Sequence, residues 1–297
     1  MNKSIIYILL LSIIGFLSSC TTTSSDPTPT NVLTQATIDK ITAYGTSKKI
    51  TYNRSADDIF YAITTANPAG RVPKQFEYVK LYYTYTKLDG TVLDSSATNQ
   101  KLPLAIPYLA YNNLLNYVVA FMKEGETASV VFPVTSASAE PTVINATLLS
   151  TRDETEQVNE YIADKYKGLT FKKSVTGLQY LITKMSSTGD TVKVGKTATV
   201  NYTGKLLYKN KTRDSNGFPI YNDQFDMGSF SFVIGSESAV AGFEEAAKLM
   251  KVGDKGIFVF PSSIGYKSRG VLNNSTGQYN IPPYSPLLFE MEVTGVR

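Results

Sequence analysis

Two short stretches of the chain carry the same apolar stripe. Phe243, Ala246, Ala247 and Met250 recur at i, i+3, i+4 and i+7, and so do Leu115, Val118, Val119 and Met122. That spacing places apolar side chains on one face of a helix. Gly253 and Gly125 follow the two stripes, where a left-handed helix cap would favour glycine. Around each stripe lie β-branched and aromatic runs, such as 197–203, 230–234, 256–260 and 287–293, which predict strands. Between the two regions, Thr151-x-x-Glu154 reads as a capping box that opens a helix through Val158, Tyr161, Ile162 and Tyr166 and closes at Gly168. Residues 31–44, with Ile38 and Ile41 ahead of Gly45, read as its counterpart before the first region. One short helix against several antiparallel strands is an α+β arrangement.

The matching extends beyond the stripes. Met122-Lys-Glu-Gly125 leads to Phe132-Pro133, and Met250-Lys-Val-Gly253 leads to Phe260-Pro261, all at an offset of 128. Tyr61, Ile63 and Thr64 match Tyr180, Ile182 and Thr183, and Tyr83-Thr84 matches Tyr202-Thr203, at an offset of 119. Leu93-Asp94 matches Phe225-Asp226 at 132. Ordered matches with small drift mark two copies of one domain, assigned to 34–150 and 169–297 and joined by a helical linker at 151–168. The jump of 13 in the offset places an insertion in the second copy, within the polar stretch 207–224. Such a stretch reads as a surface loop or as a flap that grips substrate.

Composition narrows the chemistry. There is no His among 297 residues, which excludes imidazole general bases, Ser–His–Asp triads and His-ligated metals. A single Cys excludes intramolecular disulfides and multi-thiolate metal sites. A net charge of +4 gives no basis for a nucleic-acid-binding face. Aromatic side chains are plentiful all the same, with 20 Tyr and 14 Phe but no Trp.

The single Cys has its own context. A basic start, an apolar run over 5–17 and Leu17-Ser-Ser-Cys20 form a secretory leader, expected over 1–19. Leu-Ser-Ser-Cys resembles the lipobox of bacterial lipoproteins, in which the Cys is acylated after cleavage. Residues 20–33, rich in Ser, Thr and Pro, read as a tether. The expectation is a folded part outside the cytoplasm, lipid-anchored through Cys20 in the cell envelope and facing the periplasm from the outer membrane.

The second copy carries an ordered set of motifs. They are Val200-Asn-Tyr202-Thr-Gly204, Gln224-Phe225-Asp226, Phe230-Ser-Phe232-x-Ile234-Gly235, Val240-Ala-Gly242-Phe243-Glu244-Glu245, Phe260-Pro-Ser262, Tyr266 and Ile281-Pro-Pro-x-x-x-Leu287-x-Phe289-Glu290. Their order over about 120 residues resembles the FKBP-type peptidyl-prolyl cis–trans isomerases. The resemblance implies, for each copy, a curved antiparallel sheet wrapped around one short helix, with an aromatic pocket between them in the second. It assigns catalysis to Tyr202, Phe225, Asp226, Tyr266 and Phe289, and substrate binding to Phe230, Ala239, Val240, Phe243 and Ile281. Within that set Phe243 is the pocket floor, the Val240 N–H meets a substrate carbonyl, and Asp226 accepts from the phenol of Tyr202 or Tyr266. Phe232, Phe258 and Phe260 read as core.

The implied reaction is rotation about a bond of partly double character, with a barrier of ~18–20 kcal/mol. No nucleophile, metal or cofactor takes part, and the implied partners are proline-containing polypeptides. Departures are visible too. The usual Trp floor is Phe243, the glycine that usually follows the pocket tyrosine is Lys267, and the loop 271–280 is longer than usual. The first copy has Leu93 in place of Phe225, Leu114-Leu-Asn-Tyr117 in place of Gly242-Phe-Glu-Glu245, and no Ile-Pro-Pro segment after Phe132-Pro133. It is expected to be non-catalytic. The alternative for the whole chain is a binding or chaperone module that keeps the fold and only grips partners.

Overall fold

The computed structural model describes residues 33–96, 102–133, 140–214 and 216–297. The leader, Cys20 and most of the tether lie outside the described residues, as does most of 135–141. Two large antiparallel sheets dominate. The first is built from β1 (Asn53–Arg54), β2 (Phe60–Thr65), β3 (Tyr78–Lys87), β4 (Val92–Ser95), β5 (Leu104–Pro107), β6 (Thr127–Phe132) and β7 (Thr142–Arg152). The second contains β8 (Lys172–Lys173), β9 (Gln179–Lys184), β10 (Thr197–Arg213), β11 (Pro219–Val233), β12 (Lys255–Phe260) and β15 (Leu287–Val296), and a separate hairpin pairs β13 (Val271–Asn273) with β14 (Gln278–Ile281).

The two sheets share one strand order. The first runs β1-β2-β6-β7-β3-β4, with β5 added beside β3, and the second runs β8-β9-β12-β15-β10-β11. Each strand of the first except β5 therefore has a counterpart in the second, in the same place. Details repeat as well. Glu126 accepts the Asn67 and Lys123 N–H groups, and Asp254, 128 positions later, accepts those of Ser186 and Lys251.

Four helices complete the elements used below: α1 (Gln35–Lys48), α2 (Leu114–Val119), α3 (Glu154–Lys165) and α4 (Ala241–Lys248). In α4 the stripe residues Phe243, Ala246 and Ala247, with Met250 just beyond, pack into a core with Phe258, Phe260 and Phe289. In α2, Leu115, Val118 and Val119, with Met122, do the same against Val79, Leu81 and Val130. Phe258 and Phe260 are fully buried, a gain of about 1.5–3 kcal/mol each over leaving the ring in water.

Several expectations change in detail. Helix α1 runs through Gly45 to Lys48, with Lys49 taking the left-handed cap at φ 58°. The capping box of α3 is formed by Asp153 and Glu156. Thr151 belongs to β7 instead, where its hydroxyl donates to Glu77 at 2.7 Å. The acceptor that competes for the helix start is the aspartate two residues on, a stronger cap than threonine. Gly125 and Gly253 do have positive φ, +86° and +90°. However, α2 and α4 end earlier, at right-handed caps on Ala120 and Leu249, five and four residues before those glycines. The glycines serve the turns that enter β6 and β12.

The insertion 207–224 extends β10 and β11 into a long hairpin whose outer pairs run from Asn210↔Asn222 to Arg213↔Pro219. This arm reaches back to the first sheet, where Lys211 Nζ lies 2.5 Å from Asp94. Nearer its base, the Tyr208 phenol donates to Tyr78 of β3 at 2.9 Å. A polar sequence acts as a strap because Tyr208, Lys211 and Arg213 find fixed partners on the other sheet.

Candidate active site

The concave face of the second sheet opens opposite the start of α4. There Tyr202, Phe225, Asp226, Phe230, Glu237, Ser238, Ala239, Val240, Phe243, Tyr266 and Phe289 surround a cleft of about 410 Å³. That volume lies within the range of ordinary small-ligand pockets. Nine of the ten sequence-assigned residues line it. Ile281 does not: it is 3% exposed and packs in the core behind the wall.

Position follows from strand alternation. On β10, Val200 and Tyr202 share the face toward the helix, and β11 brings Phe230 opposite Val200. Phe289 of β15 stands across from Gly204. Gly204 is required here, because a Cβ would lie 2.6 Å from the Phe225 ring and 2.9 Å from that of Phe289. The motif Tyr-Thr-Gly thus spaces the phenol from a position that two rings occupy.

The aromatic floor is mostly edge-on. Phe243 meets Tyr202 at 5.4 Å and 87°, and Phe289 at 5.2 Å and 81°. Phe225 meets Phe289 at 5.7 Å and 80°. Such crossed pairs set ring edges against ring faces, the favoured arrangement of aromatic quadrupoles. Phe243 is only 4% exposed, so it is both core and floor. Behind it, Phe260 stacks on Phe289 at 5.6 Å and 9°.

One polar contact stands within this apolar frame. The Tyr202 phenol donates to Asp226 Oδ2 at 2.6 Å, which selects Tyr202 over Tyr266 as the partner. Asp226 also accepts the Met227 N–H at 2.8 Å. Burial first, then the Asp226 carboxylate, push the Tyr202 phenol up to about 12. Burial likewise raises Tyr266, with Asp226 adding repulsion against its phenolate. Both phenols stay neutral donors at physiological pH, and the cleft has an apolar floor with hydroxyl groups at its wall.

Sequence reasoning did not find Glu237 and Ser238. They lie in the turn before α4, where Glu237 takes φ 58°, and the Gly-Ser-Glu-Ser run gave no chemical signal. A second miss concerns the first sheet. There the Tyr83 phenol donates to Asp94 Oδ2 at 2.6 Å, the same contact as Tyr202 with Asp226. The register agrees: Asp94 pairs with Tyr85, two residues past Tyr83, as Asp226 pairs with Gly204, two past Tyr202. The Leu93-Asp94 repeat match contained this pair, but its meaning depended on β3 and β4 bringing the side chains together. The equivalent notch in the first sheet is filled by Lys211.

Comparison with known proteins agrees with this geometry. Residues 189–294 match the family model of FKBP-type peptidyl-prolyl cis-trans isomerases. The chain is 32% identical over 145 residues to a probable FKBP-type peptidyl-prolyl cis-trans isomerase of Haemophilus influenzae, covering 48% of this chain and 52% of that one. It therefore spans about half the length of that relative. FK506-binding protein 1 of Gibberella zeae is 31% identical over 109 residues, covering 35% of this chain and 86% of its own. The crystal structure of FkpA from Escherichia coli aligns at 27% identity with a TM-score of 0.36, over 48% of this chain and 59% of that one. With 86% of an FK506-binding protein covered at 31% identity, and the pocket residues gathered around one cleft, the chain belongs to the FKBP-type peptidyl-prolyl cis-trans isomerase family.

Proposed function

We propose that this protein catalyses cis–trans isomerisation of Xaa-Pro bonds in polypeptides, at the cleft between the second sheet and α4. The observation that carries this reading is the aromatic cleft itself, walled by Tyr202, Phe225, Phe230, Phe243, Tyr266 and Phe289. Uncatalysed exchange of an Xaa-Pro bond takes ~10–100 s. In the twisted transition state the imide loses resonance and becomes less polar, so a dry aromatic cleft favours it over the planar ground state. Lowering the barrier by about 5 kcal/mol accelerates exchange by roughly 10⁴. No proton needs to move, which suits a cleft whose two phenols, Tyr202 and Tyr266, are both raised. In this reading the Val240 N–H holds the substrate carbonyl, Phe243 supports the proline ring, and Asp226 fixes the orientation of Tyr202.

The first sheet is assigned no turnover. Its phenol–carboxylate pair is retained, but the Lys211 ammonium occupies it. Cys20 is proposed as the acylated residue that anchors the chain at the outer membrane. Two or more acyl chains, at ~0.8 kcal/mol per buried CH₂, hold a protein stably where one does not. Exported proteins carrying proline are then the clients. A protease-coupled assay on short Xaa-Pro peptides tests the activity. Saturable binding of the same peptides without acceleration would instead favour a binding or chaperone module.

A further inference from the structure

The pocket wall that carries Tyr266 is held from outside the second sheet. Glu154 is the first residue of α3, ahead of the strands that build the cleft. Its Oε2 accepts the Ser262 N–H at 2.7 Å, and its Oε1 accepts the Ser262 hydroxyl at 2.5 Å. Ser262 is itself buried, at 4% exposure. The Ser262 carbonyl in turn accepts the N–H groups of Gly265 and Lys267, both at 2.9 Å. Those two residues flank Tyr266. One carboxylate therefore anchors the residue whose carbonyl grips both sides of the wall tyrosine.

Two further observations show why such an anchor is needed. Lys267 sits at φ 55°, a left-handed conformation that costs a non-glycine residue roughly 1–2 kcal/mol. Strained residues of this kind persist only where their surroundings over-determine them. Helix α3 is also fixed in place, since Val158 packs with Leu207, Val259 and Leu288 against the second sheet. The carboxylate is thus delivered from a rigid element to a strained loop.

We infer that Glu154 is a positioning residue of the proline pocket, setting Tyr266 through Ser262. The assignment rests on the isomerase reading given above. It is tested on the full chain with three variants, following peptide turnover, thermal melting and hydrogen exchange of the 262–267 amides. Glu154→Ala is expected to lower kcat/KM about tenfold, since small displacements of positioning groups carry large rate effects, and to raise exchange in 262–267 about tenfold. Glu154→Gln is expected within about twofold of the wild type, because its amide still offers an oxygen to the Ser262 N–H and an N–H to the Ser262 oxygen. Val118→Ala removes buried volume from the core of the first sheet, away from α3 and Ser262, and is expected to melt earlier while keeping kcat/KM. Wild-type kcat/KM in Glu154→Ala, or an equal loss of activity in Val118→Ala, overturns the assignment. Absence of turnover in the wild-type chain sinks the isomerase reading instead. Exchange then decides positioning alone: a local rise at 262–267 in Glu154→Ala that Glu154→Gln reverses supports it, and unchanged exchange overturns it.

Discussion

The Lys211 ammonium lies 2.5 Å from Asp94 Oδ1, with its other two donors on the Tyr83 hydroxyl at 2.9 Å and the Ser95 carbonyl at 2.7 Å. All three N–H groups of the lysine are used, and its side chain is only 7% exposed. Burial raises the Asp94 carboxyl, but hydrogen bonds from Lys211 and Tyr83 outweigh it and hold Asp94 below the usual carboxylate range. A carboxyl depressed in the folded state contributes stability above its unfolded value, lost as pH falls through the folded one. The strap is therefore expected to weaken in acid below about pH 4. Lys211→Ala should cost about 1–3 kcal/mol at neutral pH by removing the nearer of two cations from a half-buried carboxylate, with Arg213 remaining at 3.2 Å. Melting at pH 7 and pH 3 checks both: the gap between the two midpoints should be smaller in the variant than in the wild type.

Truncating the wall should remove catalysis and spare the fold. Phe225→Ala and Tyr266→Ala each delete apolar wall and admit water to the twisted imide, and kcat/KM is expected to fall at least about tenfold. Asp226→Asn frees the Tyr202 phenol from its carboxylate partner and should have a smaller effect. Circular dichroism melts alongside the peptide assay separate the two consequences. Undiminished rates in all three variants would move the protein to the binding-module reading.

Gly204 offers a steric test. A methyl group there meets Phe225 and Phe289 below 3.0 Å, and the Phe289 ring is wedged against Phe225, Phe243 and Phe260. Gly204→Ala is expected to destabilise by about 1–3 kcal/mol, as overpacking does, with activity falling further than in a surface variant of equal stability. Chemical denaturation with a parallel activity assay measures the pair.

Lys267 gives the opposite sign. Glycine at φ 55° escapes the left-handed penalty but gains freedom in the unfolded chain, so Lys267→Gly should stabilise by a net of about 0.5–1 kcal/mol. A lower melting midpoint would show that the lysine side chain contributes more than its backbone costs.

The pH profile separates conformational from acid–base catalysis. The Tyr202 phenol stands at about 12, Tyr266 is raised by burial, and the chain contains no His. For a neutral peptide, kcat/KM should stay nearly flat from about pH 6 to 8.5, since a general base working near neutrality would produce a slope. A reproducible tenfold inflection in that window, with the fold intact, would contradict desolvation as the mechanism.

Much of this was legible in the sequence because it rests on periodicity. The stripe of Phe243, Ala246, Ala247 and Met250 could only serve a helix packed on one face, and the ordered repeat carried the shared sheet order with it. The cleft residues came from motif order, and all but Ile281 line it. What escaped depended on contacts between distant segments. Nothing in 207–224 announces that Lys211 would meet Asp94, because a polar strand on a surface and a polar strand on another sheet share one composition. Thr151 and Asp153 are both good caps, and only the end of β7 decides between them. Glu154 read as a capping-box acid, whereas its carboxylate turns to Ser262, 108 residues on.

The arm that joins the two sheets also imposes an order in time. Asp94 precedes Lys211 by 117 residues, so at ~5–20 residues per second the ribosome adds the lysine roughly 6–23 s after the aspartate. Throughout that interval the growing chain already contains the tyrosine and the acid of the first notch but not the ammonium that fills it. A chain that stops short of residue 211 keeps the notch open for good, with a carboxylate that lacks its own cation. Closure of the strap thus distinguishes a chain that has passed residue 211 from one that has not, well after the first sheet has every strand it needs.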